Sequence, residues 1–127
     1  MSSFIDCEDT LQQLQHFAVE HHWHVPVLIK IDAGNKRAGV PDADALQIAR
    51  AVWELGKAGG PGVQLMGIYS HSGHAYACSC LAESQQRAAE ECTRMSSLCA
   101  RLEAAGIAVA VVSVGSVRLL LLPIVLL

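Results

Sequence analysis

Apolar positions along the chain alternate between two periods. In residues 6–20, DCEDTLQQLQHFAVE, Leu11, Leu14, Phe17 and Ala18 recur at helical spacing, and Asp6 or Asp9 is placed to cap the helix. Residues 25–31, VPVLIKI, are a short apolar run rich in β-branched side chains, which predicts a buried strand. The turn-forming stretch DAGNKRAGVPD follows. A second helix is predicted from about Asp42, which follows Pro41 and is read as its cap, to Leu55. Leu46, Ala49, Val52 and Trp53 form its buried side, and Gly56 stops it. After the loop GKAGGPG comes a second strand, VQLMGIY (63–69), and then a loop bearing glycine and histidine, HSGHAYACS. A long third helix, about 80–104, carries Leu81, Ala88, Cys92, Met95, Cys99 and Leu102 on one side and ends before Gly106. IAVAVVSVG (107–115) is the third predicted strand.

Helices and strands in strict alternation predict an α/β fold, a parallel sheet with crossover helices. All three strands read apolar on both faces, as parallel strands do. Three strands cannot close a barrel, and a full eight-stranded α/β barrel takes about 250 residues. The 127 residues therefore suit one piece of a larger α/β fold. Composition sharpens this. Apolar residues make up 52% and mean hydropathy is +0.34, which excludes a disordered chain. Only 17% of residues are charged, below the usual quarter, as if part of the surface were made to be covered. The net charge of -3 comes with no basic stripe, so no nucleic-acid partner is expected. Five cysteines, an odd count, and no apolar leader after MSSFIDCEDT suggest a reduced, cytoplasmic setting. The run LLLLPIVLL at 119–127 is half the length of a spanning helix and contains Pro123, so no membrane association is expected.

In α/β folds ligands bind at the carboxyl ends of the strands. Three polar segments follow the three strands and would converge on one mouth. The first, Lys30 to Gly39, contains Asp32-Ala33-Gly34, which alone reads as a tight turn. Lys30 inside a strand is unusual: either the strand end is exposed, or the amine faces an anion. The second brings Tyr69, His71, His74 and Tyr76 together within eight residues, which equally suits a polar loop of stacking rings. The third, Gly115-Ser116, offers backbone N–H groups and a hydroxyl of the kind that hold phosphate. The His21-His22-Trp23-His24 cluster lies at the amino end of a strand and reads as a solvated loop. Cys78-Ser79-Cys80 with His74 lacks a fourth ligand and is set aside as a metal site.

Taken together, VLIKIDAGNKRAGV (27–40), GIYSHSGHAY (67–76) and VSVGS (112–116) resemble the eukaryotic-type D-serine dehydratase family, which is grouped with D-threonine aldolase and, more distantly, alanine racemase. The family pattern is roughly V-K-V-D-x-G-x-x-R-x-G, then G-x-Y-x-H-x-G-x-x-Y, then V-S-x-G-S-T-P. The likeness runs from about residue 4 to 116. It implies a partial (β/α)8, alanine racemase-like barrel over 1–116 with pyridoxal 5′-phosphate at its mouth, and a divergent apolar tail over 117–127. It implies that Tyr69 and Tyr76 contact the cofactor, that His71 lies beside the pyridine ring, and that Gly115 and Ser116 start the phosphate-binding turn. Lys30 and Arg37 match a basic pair near the substrate side.

The activity implied is elimination on a small D-hydroxy-amino acid, D-serine giving pyruvate and ammonia. The alternatives are a D-threonine aldolase-type lyase and a non-catalytic product. The family also implies a homodimer and a zinc ion near the substrate. By the same resemblance, the lysine that anchors the cofactor lies upstream of this chain and the zinc ligands lie in a later β-domain, so no catalytic or metal-ligating residue is assigned here. The isolated chain is expected to be inactive. After Ser116 the family continues Thr-Pro-Thr, whereas this chain reads Val-Arg-Leu-Leu-Leu-Leu-Pro.

Overall fold

The computed structural model describes residues 3–32, 39–71 and 80–115. Among the described residues seven elements follow one another: β1 (Ser3–Ile5), α1 (Glu8–Glu20), β2 (His24–Ile31), α2 (Ala45–Lys57), β3 (Gly62–His71), α3 (Leu81–Ala104) and β4 (Val111–Gly115). The strands form one sheet in the order β1-β2-β3-β4, and every pair is parallel. Among the described residues the sheet thus has four strands where the hydrophobic pattern predicts three. The extra one, SFI, is too short to show a period, but Phe4 pairs with Leu28 and Ile5 with Ile29. The last strand is shorter than predicted. Gly106 adopts φ +82° and the Ile107 N–H returns to the Leu102 carbonyl, so the chain is still leaving α3 where IAVA had suggested a strand.

Successive strands step in one direction across the sheet. Crossovers of a single hand then bring all three helices to the same face. One core cluster records this: Ile5, Val27, Ile29, Ile31, Ile68 and Val112 of the sheet pack with Leu11 and Ala18, Ala49 and Val52, and Met95, Leu98 and Leu102 of the helices. Side chains of opposite parity, Phe4, Leu28, Lys30, Tyr69 and Ser113, stand on the other face. Phe4 there is 52% exposed.

Several helix details differ from expectation. Neither Asp6 nor Asp9 caps α1. Cys7 occupies the cap without a side-chain bond, while Glu8 and Asp9 sit in the first turn, where negative charge suits the helix dipole. Asp42 does not cap α2; that position belongs to Asp44, also without a side-chain bond. Asp42 instead accepts from Arg101 near the end of α3, at 2.9 Å to each carboxylate oxygen. On α1 and α2, Phe17 and Leu46 are exposed although both lie at helical spacing from buried neighbours. On α3 the buried residues are Ser84, Glu91, Met95, Leu98 and Leu102, while Leu81 is 62% exposed and Ala88, Cys92 and Cys99 are half-buried. The helix is therefore rotated from the expected line toward two polar residues.

Candidate functional site

The site begins with an irregularity in β3. Val27 of β2 pairs with Leu65, but the next residue, Leu28, pairs with Gly67. Met66 is the extra residue of a bulge, and the Ala110 N–H is bonded to its carbonyl. The insertion sets the parity of everything beyond it. Ile68 falls on the helix face, and Tyr69 falls in line with Lys30 on one side and Ser113 on the other. One row across three strands thus carries an amine, a phenol and a hydroxyl at the carboxyl end of the sheet. His71, two residues on, pairs with Gly115.

Contacts within this row are aromatic and polar. The Phe4 ring lies 4.9 Å from that of Tyr69, centroid to centroid, at 42°. The two strands are not adjacent, so the rings meet over β2. The Tyr69 hydroxyl lies 3.4 Å from Nδ1 of His71. Gly67 supplies the space behind. A methyl group there would overlap the Val111 carbonyl of β4. At the end of β2 the chain turns back on itself. The Asp32 N–H donates to the Val40 carbonyl and the Val40 N–H to the Lys30 carbonyl, at 2.9 and 2.7 Å. This return requires Gly39, whose φ is +128° and whose missing Cβ would stand 2.7 Å from the Asp32 nitrogen.

The structure therefore brings Lys30, Tyr69, His71 and Gly115 to one end of one face. Arg37, Tyr76 and Ser116, with Gly34, His74 and Cys78, lie outside the described residues. His21, Trp23 and His24 are exposed at the opposite end of the sheet, as the sequence suggests, with the His21 ring stacked on Phe17 at 4.1 Å. Among the described residues no three metal-ligating side chains come together. Nor is any helix among them long and apolar enough to cross a membrane. Phe4 is a residue of this face that the sequence reading did not single out, and Ser113 entered it only as part of VSVGS. Phe4 sits in an element too short to detect, and Ser113 becomes meaningful only once the register places it beside Tyr69.

This arrangement can be set against known proteins. The family model described as "Alanine racemase, N-terminal domain" matches residues 1–123. The chain belongs to the alanine racemase N-terminal domain family. Its four strands and three helices are accordingly an arc of the TIM-type barrel of that family. Among solved structures this alanine racemase-type domain resembles D-threo-3-hydroxyaspartate dehydratase in a metal-free form, with 30% identity and TM-score 0.77 over 91% of the chain. It resembles an alanine racemase-like protein of Idiomarina loihiensis equally well, at 30% identity and TM-score 0.76 over 91%. D-threonine aldolase of Filomicrobium marinum, at 22% identity and TM-score 0.80 over 93%, shares the fold. The domain spans 30%, 29% and 31% of the length of those chains, and 28% of the curated proteins that it matches over 53 residues.

Proposed function

We propose that the carboxyl end of this sheet forms part of a pyridoxal 5′-phosphate site in a lyase that removes the β-hydroxyl of a small D-amino acid, D-serine being the first candidate. The observation that carries the reading is the row Lys30, Tyr69 and Ser113 with His71 above it, on the open face of a domain 30% identical to a dehydratase of a hydroxylated amino acid. The likeness to D-threonine aldolase extends to the fold, so elimination is preferred to Cα–Cβ cleavage.

The residues present fit the cofactor. A phenol and an imidazole 3.4 Å apart offer a flat aromatic edge and hydrogen-bonding atoms, and among the described residues nothing stands within 4 Å of where a Gly115 side chain would begin. Tyr69, with Tyr76, would contact the cofactor, His71 would lie beside its ring, and Gly115 with Ser116 would begin the phosphate turn. When bound, pyridoxal phosphate supplies an electron sink for charge developing at the substrate Cα. The Tyr69 hydroxyl and His71 Nδ1 fix each other's orientation. The Lys30 ammonium, with Arg37, attracts the substrate carboxylate. Phe4 covers the Tyr69 ring on one side. No step is assigned through zinc, because no ligand set for it exists among the described residues.

Equilibrium dialysis of a full-length barrel that carries residues 3–115 against pyridoxal phosphate tests the placement. Tyr69→Ala removes a ring and a hydroxyl and should weaken retention by about 1–3 kcal/mol, or roughly 5- to 150-fold. Unchanged affinity in Tyr69→Ala and Tyr76→Ala would sink the placement. Grafting residues 3–115 into the D-threo-3-hydroxyaspartate dehydratase barrel and assaying D-serine and D-threonine separates the reactions. Pyruvate formation supports elimination, and glycine formation supports the aldolase alternative.

A further inference from the structure

Between Tyr69 and His71 stands Ser70, a position that the G-x-Y-x-H pattern leaves open. It is fully buried and its parity directs it to the helix face. There its hydroxyl donates a hydrogen bond to Oε1 of Glu91 on α3. Glu91 is only 3% exposed, and its Oε2 is buried without a hydrogen-bond partner among the described residues. A buried carboxyl group with one oxygen unmet is costly. Met95, Leu98 and Leu102 show what packing alone uses along the same helix face. An apolar residue at position 91 would serve packing better, so Glu91 has another task.

The register shows what that task is. Ser70 is paired with Ile31 on one side and Val114 on the other, and it forms the last rung of β3 supported by both neighbours. His71, beyond it, pairs only with Gly115. The strand end that carries the site is tied at this rung to the body of α3. We infer that Glu91 is a positioning residue: acting through Ser70, it fixes the carboxyl end of β3 and so the orientation of Tyr69 and His71 on the opposite face. The inference rests on the cofactor reading for its purpose but not for its test.

The experiment compares Ser70→Ala, Glu91→Leu and Glu91→Gln in a full-length barrel that carries residues 3–115. Gln keeps an acceptor for the Ser70 hydroxyl, whereas Leu keeps approximate volume and removes it. Three readouts are taken: amide hydrogen exchange over 67–71 against the other strands, the imidazole NMR signals of His71, and dialysis against pyridoxal phosphate. Ser70→Ala and Glu91→Leu should speed exchange at the end of β3 about tenfold, shift the His71 signals and weaken cofactor retention about tenfold. Glu91→Gln should remain close to the parent in all three. Faster exchange spread evenly over β2, β3 and β4, unchanged His71 signals, or Glu91→Gln behaving like Glu91→Leu would overturn the inference. If Glu91→Leu fails to fold, Ser70→Ala, the smaller change, decides. If the parent chain itself does not retain pyridoxal phosphate, the cofactor reading fails, and exchange and His71 signals still decide the role of Glu91.

Discussion

Gly67 lacks a side chain because the Val111 carbonyl occupies the place where one would stand. Relief of that overlap would have to come from backbone, by parting β3 from β4 where Tyr69 and Ser113 are paired two residues further on. Gly67→Ala should therefore lower stability by about 3 kcal/mol, the upper end for overpacking, measured as a reduced midpoint in urea unfolding. The cysteines divide by environment. Among the described residues Cys7 and Cys80 are exposed thiols, and Cys92 and Cys99 are half-buried on α3. Burial, then the charge of Glu91, raises the pKa of Cys92. Burial, then the charge of Glu103 and a hydrogen bond with it, raises that of Cys99. Because the thiolate is the reacting form, iodoacetamide at neutral pH should label Cys7 and Cys80 first, with Cys92 and Cys99 reacting only at higher pH. In linkage terms a raised thiol pKa favours the folded state below the unfolded value of about 8.5, and that contribution fades as pH rises through the folded value. Equal labelling rates by peptide mass mapping at pH 7 would contradict this.

At the scale of elements, α3 shows where sequence patterning stops being informative. Counting apolar residues every three or four positions finds a line through Leu81, Ala88, Cys92, Met95, Cys99 and Leu102, and Met95 and Leu102 do face the core. The rest of the true line runs through Leu98, which the count passed over, and through Ser84 and Glu91, which no hydrophobic count selects, because Glu91 is bonded to a hydroxyl on a strand 21 positions earlier in the chain. The strands were more legible. Runs of β-branched residues marked β2 and β3, and of the polar segments after the strands, the described residues Lys30, Tyr69, His71 and Gly115 come to one end of one face. The bulge at Met66 was invisible for a similar reason: it is defined by pairing with β2, not by any residue in β3. Asp42 illustrates the competition for one side chain. Its sequence position suits a helix cap, yet Arg101, 59 residues away, takes it. Both partners are about half exposed, so solvent screens the pair and its coupling should be about 0.5 kcal/mol. A double-mutant cycle with Asp42→Ala and Arg101→Ala checks this, and the coupling should shrink further in 1 M salt.

The molecule as a whole presents an unusual balance of covered and open surface. Among the described residues, helices cover one face of the sheet, the other carries Phe4 half exposed, and β1 and β4 are the edges. Unpaired strand edges template association. The sequence after Arg118 adds nine apolar residues without charge. The 127-residue polypeptide should therefore be oligomeric or poorly soluble, and removing 117–127 should improve its solubility without conferring turnover of D-serine. Size-exclusion chromatography with light scattering measures this, and a sharp monomer of 13.5 kDa that unfolds cooperatively would refute it.

The order of the strands has one more consequence. Because β1, β2, β3 and β4 lie side by side in the order in which they are linked, each strand leaving the ribosome meets a single growing edge, that of the strand made just before it. None of the described strands must be threaded between two older ones, so this part of the sheet can be laid down vectorially during synthesis without reopening what is already assembled.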